Sequence, residues 1–125
     1  MEKFARFARI AETEFSDVVI STHDLGHKLR IYLKDKSFID FFYTTKARKV
    51  RFAVHWERNH LDNSVYRIDN APDPRWRKVK GFPIHFHSGK YSKVKAPPFK
   101  VEDFNLETIL RKFLTFTQPK VIQKG

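Results

Sequence analysis

The sequence contains no cysteine. Disulfides, zinc–thiolate sites, iron–sulfur clusters and a cysteine nucleophile are therefore excluded. A metal site in this chain would have to use histidine, aspartate or glutamate side chains. From the sequence itself we expect no cofactor.

Long apolar runs are also absent. The longest such stretch, residues 38–43, is interrupted by Asp40 and is much shorter than the about 20 apolar residues that span a bilayer. The first six residues carry charges and lack the apolar segment of a signal peptide. We therefore expect a cytoplasmic protein with no membrane partner.

Acidic residues are scarce relative to basic ones. The chain has 25 Lys and Arg against 14 Asp and Glu, a formal net charge of +11. This excess favours a polyanionic partner, RNA or DNA above all. The alternatives are a basic solvated surface without a partner and neutralisation by an acidic protein. The length of 125 residues predicts one α+β domain over residues 1–125 with a basic tail at 119–125, and leaves a homo-oligomer open.

Apolar periodicity predicts a helix, a run of about six strands and a second helix. Residues 2–15 repeat apolar side chains at helical spacing. Strands are expected at 18–21, 29–33, 37–43, 50–57, 64–70 and 82–88, and a further segment, 91–95, follows a turn. Asn105 is a favourable N-cap, and the helix that it begins should end near Thr117, because Pro119 follows. This order predicts an α+β fold in which an antiparallel meander sheet is flanked by N-terminal and C-terminal helices.

Polar side chains on three of these strands predict a site. In strand 50–57 the apolar side chains are even-numbered, so His55 points to the opposite face. The same alternation holds in strands 64–70 and 82–88. If the three strands are adjacent and antiparallel, five polar side chains share one face of the sheet: His55, Arg67, Asp69, His85 and His87.

This set of side chains suits RNA cleavage without a metal ion, in which the ribose 2′-hydroxyl is the nucleophile. Two histidines can exchange the roles of general base and general acid, since imidazole titrates near neutral pH. Arg67 can clamp a phosphate, and Asp69 can hold one imidazole in its tautomer. The same His-x-His pair with Asp69 could instead ligate a metal ion. A third interpretation is a solvated sheet face, with Arg67 and Asp69 forming an ion pair that contributes under ~1 kcal/mol.

A basic segment with one tryptophan predicts a contact with nucleic acid. Trp76 is flanked by Arg75, Arg77 and Lys78, so its ring can stack on a base while the cations hold phosphates. The alternative is a tryptophan that covers the edge of the core. Arg51, on the polar face of strand 50–57, is a further candidate for a phosphate contact.

Three segments and a closing helix occur in an order that is typical of a known family. The segments are Phe52-Ala53-Val54-His55-Trp56, Tyr66-Arg67-Ile68-Asp69-Asn70-Ala71-Pro72 and Phe82-Pro83-Ile84-His85-Phe86-His87. Over residues 50–117 the chain thus resembles the TumE-type toxins of prokaryotic toxin–antitoxin loci. It departs from their pattern at Asp73-Pro74, where histidines often follow, and at Phe86, where lysine is common. The resemblance implies a small basic toxin that a helix-turn-helix antitoxin neutralises.

These observations together predict a toxin that acts on RNA as a metal-independent endoribonuclease. The alternatives are a non-enzymatic module that binds nucleic acid, and a metal-dependent nuclease that uses the His-x-His pair with Asp69.

Overall fold

A computed structural model describes residues 3–46, 48–101 and 104–124 of the chain. Its helices and strands, in chain order, are α1 (Ala5–Glu14), β1 (Val19–Asp24), β2 (Leu29–Leu33), β3 (Phe38–Thr44), β4 (Arg51–Arg58), α2 (Asn59–Asp62), β5 (Ser64–Asp69), β6 (His85–Gly89), β7 (Val94–Lys95) and α3 (Leu106–Lys124). A short 3-10 turn, Pro74–Trp76, lies between β5 and β6. In the ranges just given, no helix is both long enough and apolar enough to cross a membrane.

The strands form one antiparallel sheet in which each strand pairs with the next along the chain. This confirms the expected α+β meander, with seven strands rather than about six because Val94 and Lys95 pair with β6. Strand β6 begins at His85 and not at residue 82. The amide of Ile84 donates to the carbonyl of Gly81 at 3.0 Å, and Pro83 has no amide hydrogen, so residues 81–84 turn instead of joining the ladder.

The core lies between one face of the sheet and the two long helices. The even-numbered side chains of β4, β5 and β6 point into it, as the alternation predicted. Its fully buried members include Val54, Trp56, Ile68 and Phe86 from the sheet, Phe7 from α1, and Leu110 and Phe113 from α3. Because the helices cover this face, the polar side chains of the same strands lie on the opposite face of the sheet.

Helix α3 begins as predicted but continues further than predicted. Oδ1 of Asn105 accepts a hydrogen bond from the amide of Thr108 at 3.0 Å, which confirms the N-cap. The predicted end near Thr117 is wrong, because the helix passes through Pro119 and reaches Lys124. Pro119 is exposed, whereas Val121 is buried against the core. Burial of Val121 therefore offsets the backbone hydrogen bond that the proline removes.

A buried arginine interrupts the apolar side of β4. Arg58 is 1 % exposed, although its even number places it on the core side of the strand. Its Nη1 atom lies 2.5 Å from Oδ2 of Asp35, and its Nε atom lies 3.2 Å from Oδ2 of Asp62. Its guanidinium also lies 4.7 Å from the ring of Trp56. These partners compensate the charge that burial would otherwise leave unpaired.

Candidate active site

Backbone pairing places five polar residues side by side across the face of the sheet opposite the helices. Arg30 pairs with Asp40, Asp40 with His55, His55 with Arg67, and Arg67 with His87, on the consecutive strands β2 to β6. Neighbouring strands are about 4.8 Å apart, so these side chains form one continuous polar row.

A second pairing brings the remaining predicted residues beside this row. Asp69 of β5 pairs with His85 of β6, one pleat away from the pair Arg67 and His87. The adjacency that the sequence analysis assumed for β4, β5 and β6 is therefore present. All five residues predicted to form the site share one face of the sheet.

Asp69, His85 and His87 form a buried cluster, with 6 %, 2 % and 7 % exposure. Nε2 of His85 lies 3.2 Å from Oδ1 of Asp69, and Nε2 of His87 lies 3.8 Å from Oδ2. The Nδ1 atoms face backbone carbonyl oxygens, that of Pro83 at 3.0 Å and that of Tyr91 at 2.8 Å. Because a carbonyl oxygen only accepts, Nδ1 carries the hydrogen in both rings. Burial lowers the pKa of His87, which the bond to the Tyr91 carbonyl only partly opposes.

Asp69 also holds Arg67 of the polar row in position. Nε of Arg67 donates to Oδ2 of Asp69 at 2.9 Å, and the amide of Ala71 donates to Oδ1 at 3.0 Å. The Arg67 side chain is nevertheless 30 % exposed. The buried carboxylate therefore holds the guanidinium in place and leaves part of it open to a ligand.

His55 is oriented by partners on both ring nitrogens. Nε2 lies 3.2 Å from Oε1 of Glu57, while Nδ1 lies 3.4 Å from Nη1 of Arg67 and 3.2 Å from the hydroxyl of Tyr91. A guanidinium only donates, so Nδ1 is the acceptor and Nε2 donates its hydrogen to Glu57. Burial lowers the pKa of His55, Glu57 opposes this effect, and Arg67 lowers the pKa further. The imidazole is therefore neutral at pH 7, with its lone pair beside the arginine.

An open cleft of about 280 Å³ lies above His55 and Arg67. Its walls include Lys28, Asp40 and Tyr91. Asp40 pairs with Lys28 at 2.9 Å and with Arg30 at 2.8 Å. Burial raises the pKa of Asp40, but the bonds from Arg30 and Lys28 outweigh it and hold the pKa below its usual value. The cleft thus brings together the imidazole of His55, the guanidinium of Arg67 and the ion pair of Lys28 with Asp40.

Trp76 joins the site, whereas its basic neighbours lie at the surface. The centroid of its half-buried ring is 6.3 Å from that of His85 and 6.4 Å from that of His87, so it covers the buried histidines. The exposed cations of this segment are Arg75, Arg77 and Lys78. Hydrogen bonds from Arg75 lower the pKa of Asp73, its partner, to about 2.

Arg51 lies in a different groove. It shares that groove with Arg48 and Lys49 and donates from Nη1 to the carbonyl of Asn70 at 3.1 Å. The structure therefore does not place Arg51 in the cleft with His55 and Arg67.

Sequence reasoning missed Lys28, Asp40, Glu57 and Tyr91 as members of the site. Asp40 and Glu57 carried a usable signal, since both occupy polar-face positions of their strands by the same alternation as His55. Tyr91 follows β6 in a turn, where no periodicity indicates the direction of a side chain. Lys28 lies before β2, so strand alternation does not indicate the direction of its side chain either.

Comparison with known proteins identifies one family. A family model described as Toxin TumE matches residues 2–120, a range that includes the whole polar row and the cleft. No curated protein and no solved structure is significantly similar to the chain.

Proposed function

The chain belongs to the TumE family of toxins, and from that premise and the geometry of the cleft we propose that it cleaves RNA without a metal ion. Family membership makes it the toxin component of a toxin–antitoxin system, with an antitoxin as partner. We further propose that this antitoxin is of the helix-turn-helix type and that the toxin acts in the cytoplasm, where RNA is its substrate.

One observation carries the proposal of RNA cleavage. His55 is held by Glu57 at Nε2 and directs the lone pair of Nδ1 beside the guanidinium of Arg67. A base adjacent to a phosphate-binding cation is what transesterification of RNA requires. DNA lacks the 2′-hydroxyl that would serve as nucleophile, so this arrangement favours RNA.

The chemical step follows from these positions. Nδ1 of His55 accepts the proton of a ribose 2′-hydroxyl, whose oxygen forms a bond to the adjacent phosphorus. Arg67 stabilises the charge on the phosphorane, and the bond from phosphorus to the 5′-oxygen breaks. The leaving 5′-oxygen takes a proton from the solvent that the open cleft admits, and His55 then releases its own proton to the solvent. The products are a 2′,3′-cyclic phosphate and a 5′-hydroxyl.

The buried cluster takes a supporting role in this scheme. His85 and His87 are nearly inaccessible, so we assign them, with Asp69, to positioning Arg67 rather than to direct proton transfer. The net charge of +11 and the exposed cations near Trp76 supply attraction for the RNA backbone, and the ring of Trp76 offers a surface on which a base can stack.

Cleavage of a short synthetic RNA by the purified toxin tests the proposal. The substrates are the RNA, its all-DNA counterpart and an RNA with a single 2′-deoxy nucleotide at the cleaved position, each with and without EDTA. We expect fragments with cyclic phosphate termini from the RNA alone, unchanged by EDTA. His55→Ala should reduce the rate about 10²-fold or more. The control His60→Ala removes an exposed histidine of α2 and should leave the rate unchanged.

Two results would replace the proposal by its alternatives. Salt-sensitive RNA binding without fragments indicates a non-enzymatic nucleic-acid-binding module. Cleavage that EDTA abolishes and a divalent ion restores indicates a metal-dependent nuclease.

A further inference from the structure

We propose that Asp69, His85 and His87 bind a divalent transition-metal ion. One ligand atom from each residue lies within 4.8 Å of the other two, and all three side chains are buried. The proposal concerns ion binding alone, so it stands or falls independently of RNA cleavage.

The tautomers of the two histidines favour a cation at this position. Both Nδ1 atoms carry hydrogens that point to backbone carbonyls of Pro83 and Tyr91. The Nε2 atoms therefore face the carboxylate of Asp69, at 3.2 and 3.8 Å, and Nε2 is the ring atom that each histidine can offer to a metal ion. A metal ion that replaces any proton on these atoms lies between three electron-pair donors, the two Nε2 atoms and an oxygen of Asp69. A hydrogen bond from Nδ1 to a backbone carbonyl is also the usual way in which proteins orient a metal-binding histidine.

The dimensions of the cluster fit such an ion. Bonds of about 2.0–2.1 Å place the ligand atoms of a tetrahedral site about 3.3 Å apart, and Nε2 of His85 lies 3.2 Å from Oδ1 of Asp69 while Nε2 of His87 lies 3.8 Å from Oδ2. The widest separation in the cluster, up to 4.8 Å, has to contract by about 1.5 Å at most to match the same spacing. The backbone already sets the register, because His85 is paired with Asp69 and His87 is two residues further along the same strand.

The donor set selects the class of metal. Two imidazole nitrogens and one carboxylate oxygen suit Zn²⁺, Mn²⁺, Fe²⁺, Co²⁺ or Ni²⁺ better than Ca²⁺ or Mg²⁺, which prefer oxygen ligands. Three protein ligands also leave at least one coordination position for water or another ligand. The rings of Trp76 and Tyr91 flank the histidines and limit the access of solvent to that position.

Metal titration of the purified toxin tests the inference. The protein is treated with EDTA, dialysed and titrated with Zn²⁺ by calorimetry, and with Co²⁺ by visible absorption. We expect one equivalent of either ion per chain, and an upward shift of the thermal unfolding midpoint with Zn²⁺. Asp69→Asn and His87→Gln should each weaken binding at least about 10-fold. The control His23→Gln changes an exposed histidine of β1 and should bind as the wild type does.

A second measurement uses the wild-type chain, so that misfolding of a variant cannot obscure the result. Nitrogen NMR of the histidine rings should show Zn²⁺-dependent shifts of Nε2 in His85 and His87 but not in His23. The inference is overturned if no stoichiometric binding occurs, or if Zn²⁺ shifts other histidines while Asp69→Asn binds normally. Neither assay contains RNA, so an absent metal site would leave the cleavage proposal intact, and inactivity toward RNA would leave the metal site intact.

Discussion

Replacing Arg58 by leucine is expected to destabilise the fold, because it leaves the carboxylate of Asp35 buried without its cation. The two side chains are 1 % and 3 % exposed and their charged atoms lie 2.5 Å apart. Removing one partner of a buried ion pair costs about 3–5 kcal/mol. Asp35 keeps hydrogen bonds from the amide and hydroxyl of Ser37, so we expect the lower end of that range, about 3 kcal/mol.

Urea and thermal unfolding followed by circular dichroism measure this loss. A chain of 125 residues has an unfolding entropy of about 0.26 kcal/mol/K, so a loss of about 3 kcal/mol lowers Tm by about 11 °C. The control is Arg111→Leu. Arg111 contacts Glu14 through two bonds of 2.8 and 2.9 Å, but these side chains are 45 % and 43 % exposed. That variant should lose less than about 1 kcal/mol. Equal losses in the two variants would refute the argument from burial.

The stability difference between wild type and Arg58→Leu should also depend on pH, in a direction set by the pKa of Asp35. Burial raises the pKa of Asp35, but the hydrogen bonds from Ser37 and Arg58 outweigh it and hold the pKa below its usual value. The ion pair therefore stabilises the fold fully above about pH 4, the usual value for an unfolded aspartate, and this contribution is lost as the pH falls through the folded pKa. The difference in stability between wild type and Arg58→Leu should accordingly be largest near neutral pH and should shrink in acid.

Three further changes test the site and the closing helix. Glu57→Gln removes the carboxylate that raises the pKa of His55. The acidic limb of the cleavage pH profile should therefore move to lower pH, and kcat should fall about 10²-fold or more. An unmoved limb would exclude Glu57 as a partner of His55. The exposed cations of the tryptophan segment are Arg75, Arg77 and Lys78. Changing all three to alanine should make single-stranded RNA binding less dependent on salt. The slope of log K against log salt concentration, measured by fluorescence anisotropy, should fall by about 2, since each phosphate contact contributes about 0.7. An unchanged slope would exclude the segment from the RNA interface. Pro119→Ala restores a backbone hydrogen-bond donor inside α3 and should raise the free energy of unfolding in urea by about 1–3 kcal/mol, whereas a decrease would show that the helix depends on the proline.

The shared face of β4, β5 and β6 was predictable because two local rules agree there. Alternating side chains assign His55, Arg67 and His87 to the same side of their strands. A meander with short connections pairs consecutive strands, so residues on the same side become neighbours. No long-range information was needed to bring these groups together.

What covers that face was not predictable from alternation. A solvated position of His85 and His87 was one of the alternatives that the sequence left open, and the rings that lie against them, those of Trp76 and Tyr91, come from connecting segments. The direction of a side chain in a loop depends on tertiary packing, which a periodic pattern does not encode.

The end of α3 was mispredicted for a related reason. Local preference disfavours Pro119 inside a helix, and tertiary burial of Val121 outweighs it. The buried position of Arg58 likewise follows from partners that are distant in the sequence or in an adjoining turn. Local rules therefore predict the strands and the face of the sheet on which each side chain lies, whereas tertiary contacts determine which of these side chains are buried.

Induced expression in a bacterial host tests the central claim most directly, with total RNA sequenced for cyclic phosphate termini. Wild-type toxin should arrest growth and produce RNA fragments with those termini, whereas His55→Ala, expressed at the same level, should do neither. Arrest by both proteins with intact RNA, or equal fragmentation by both, would contradict the account.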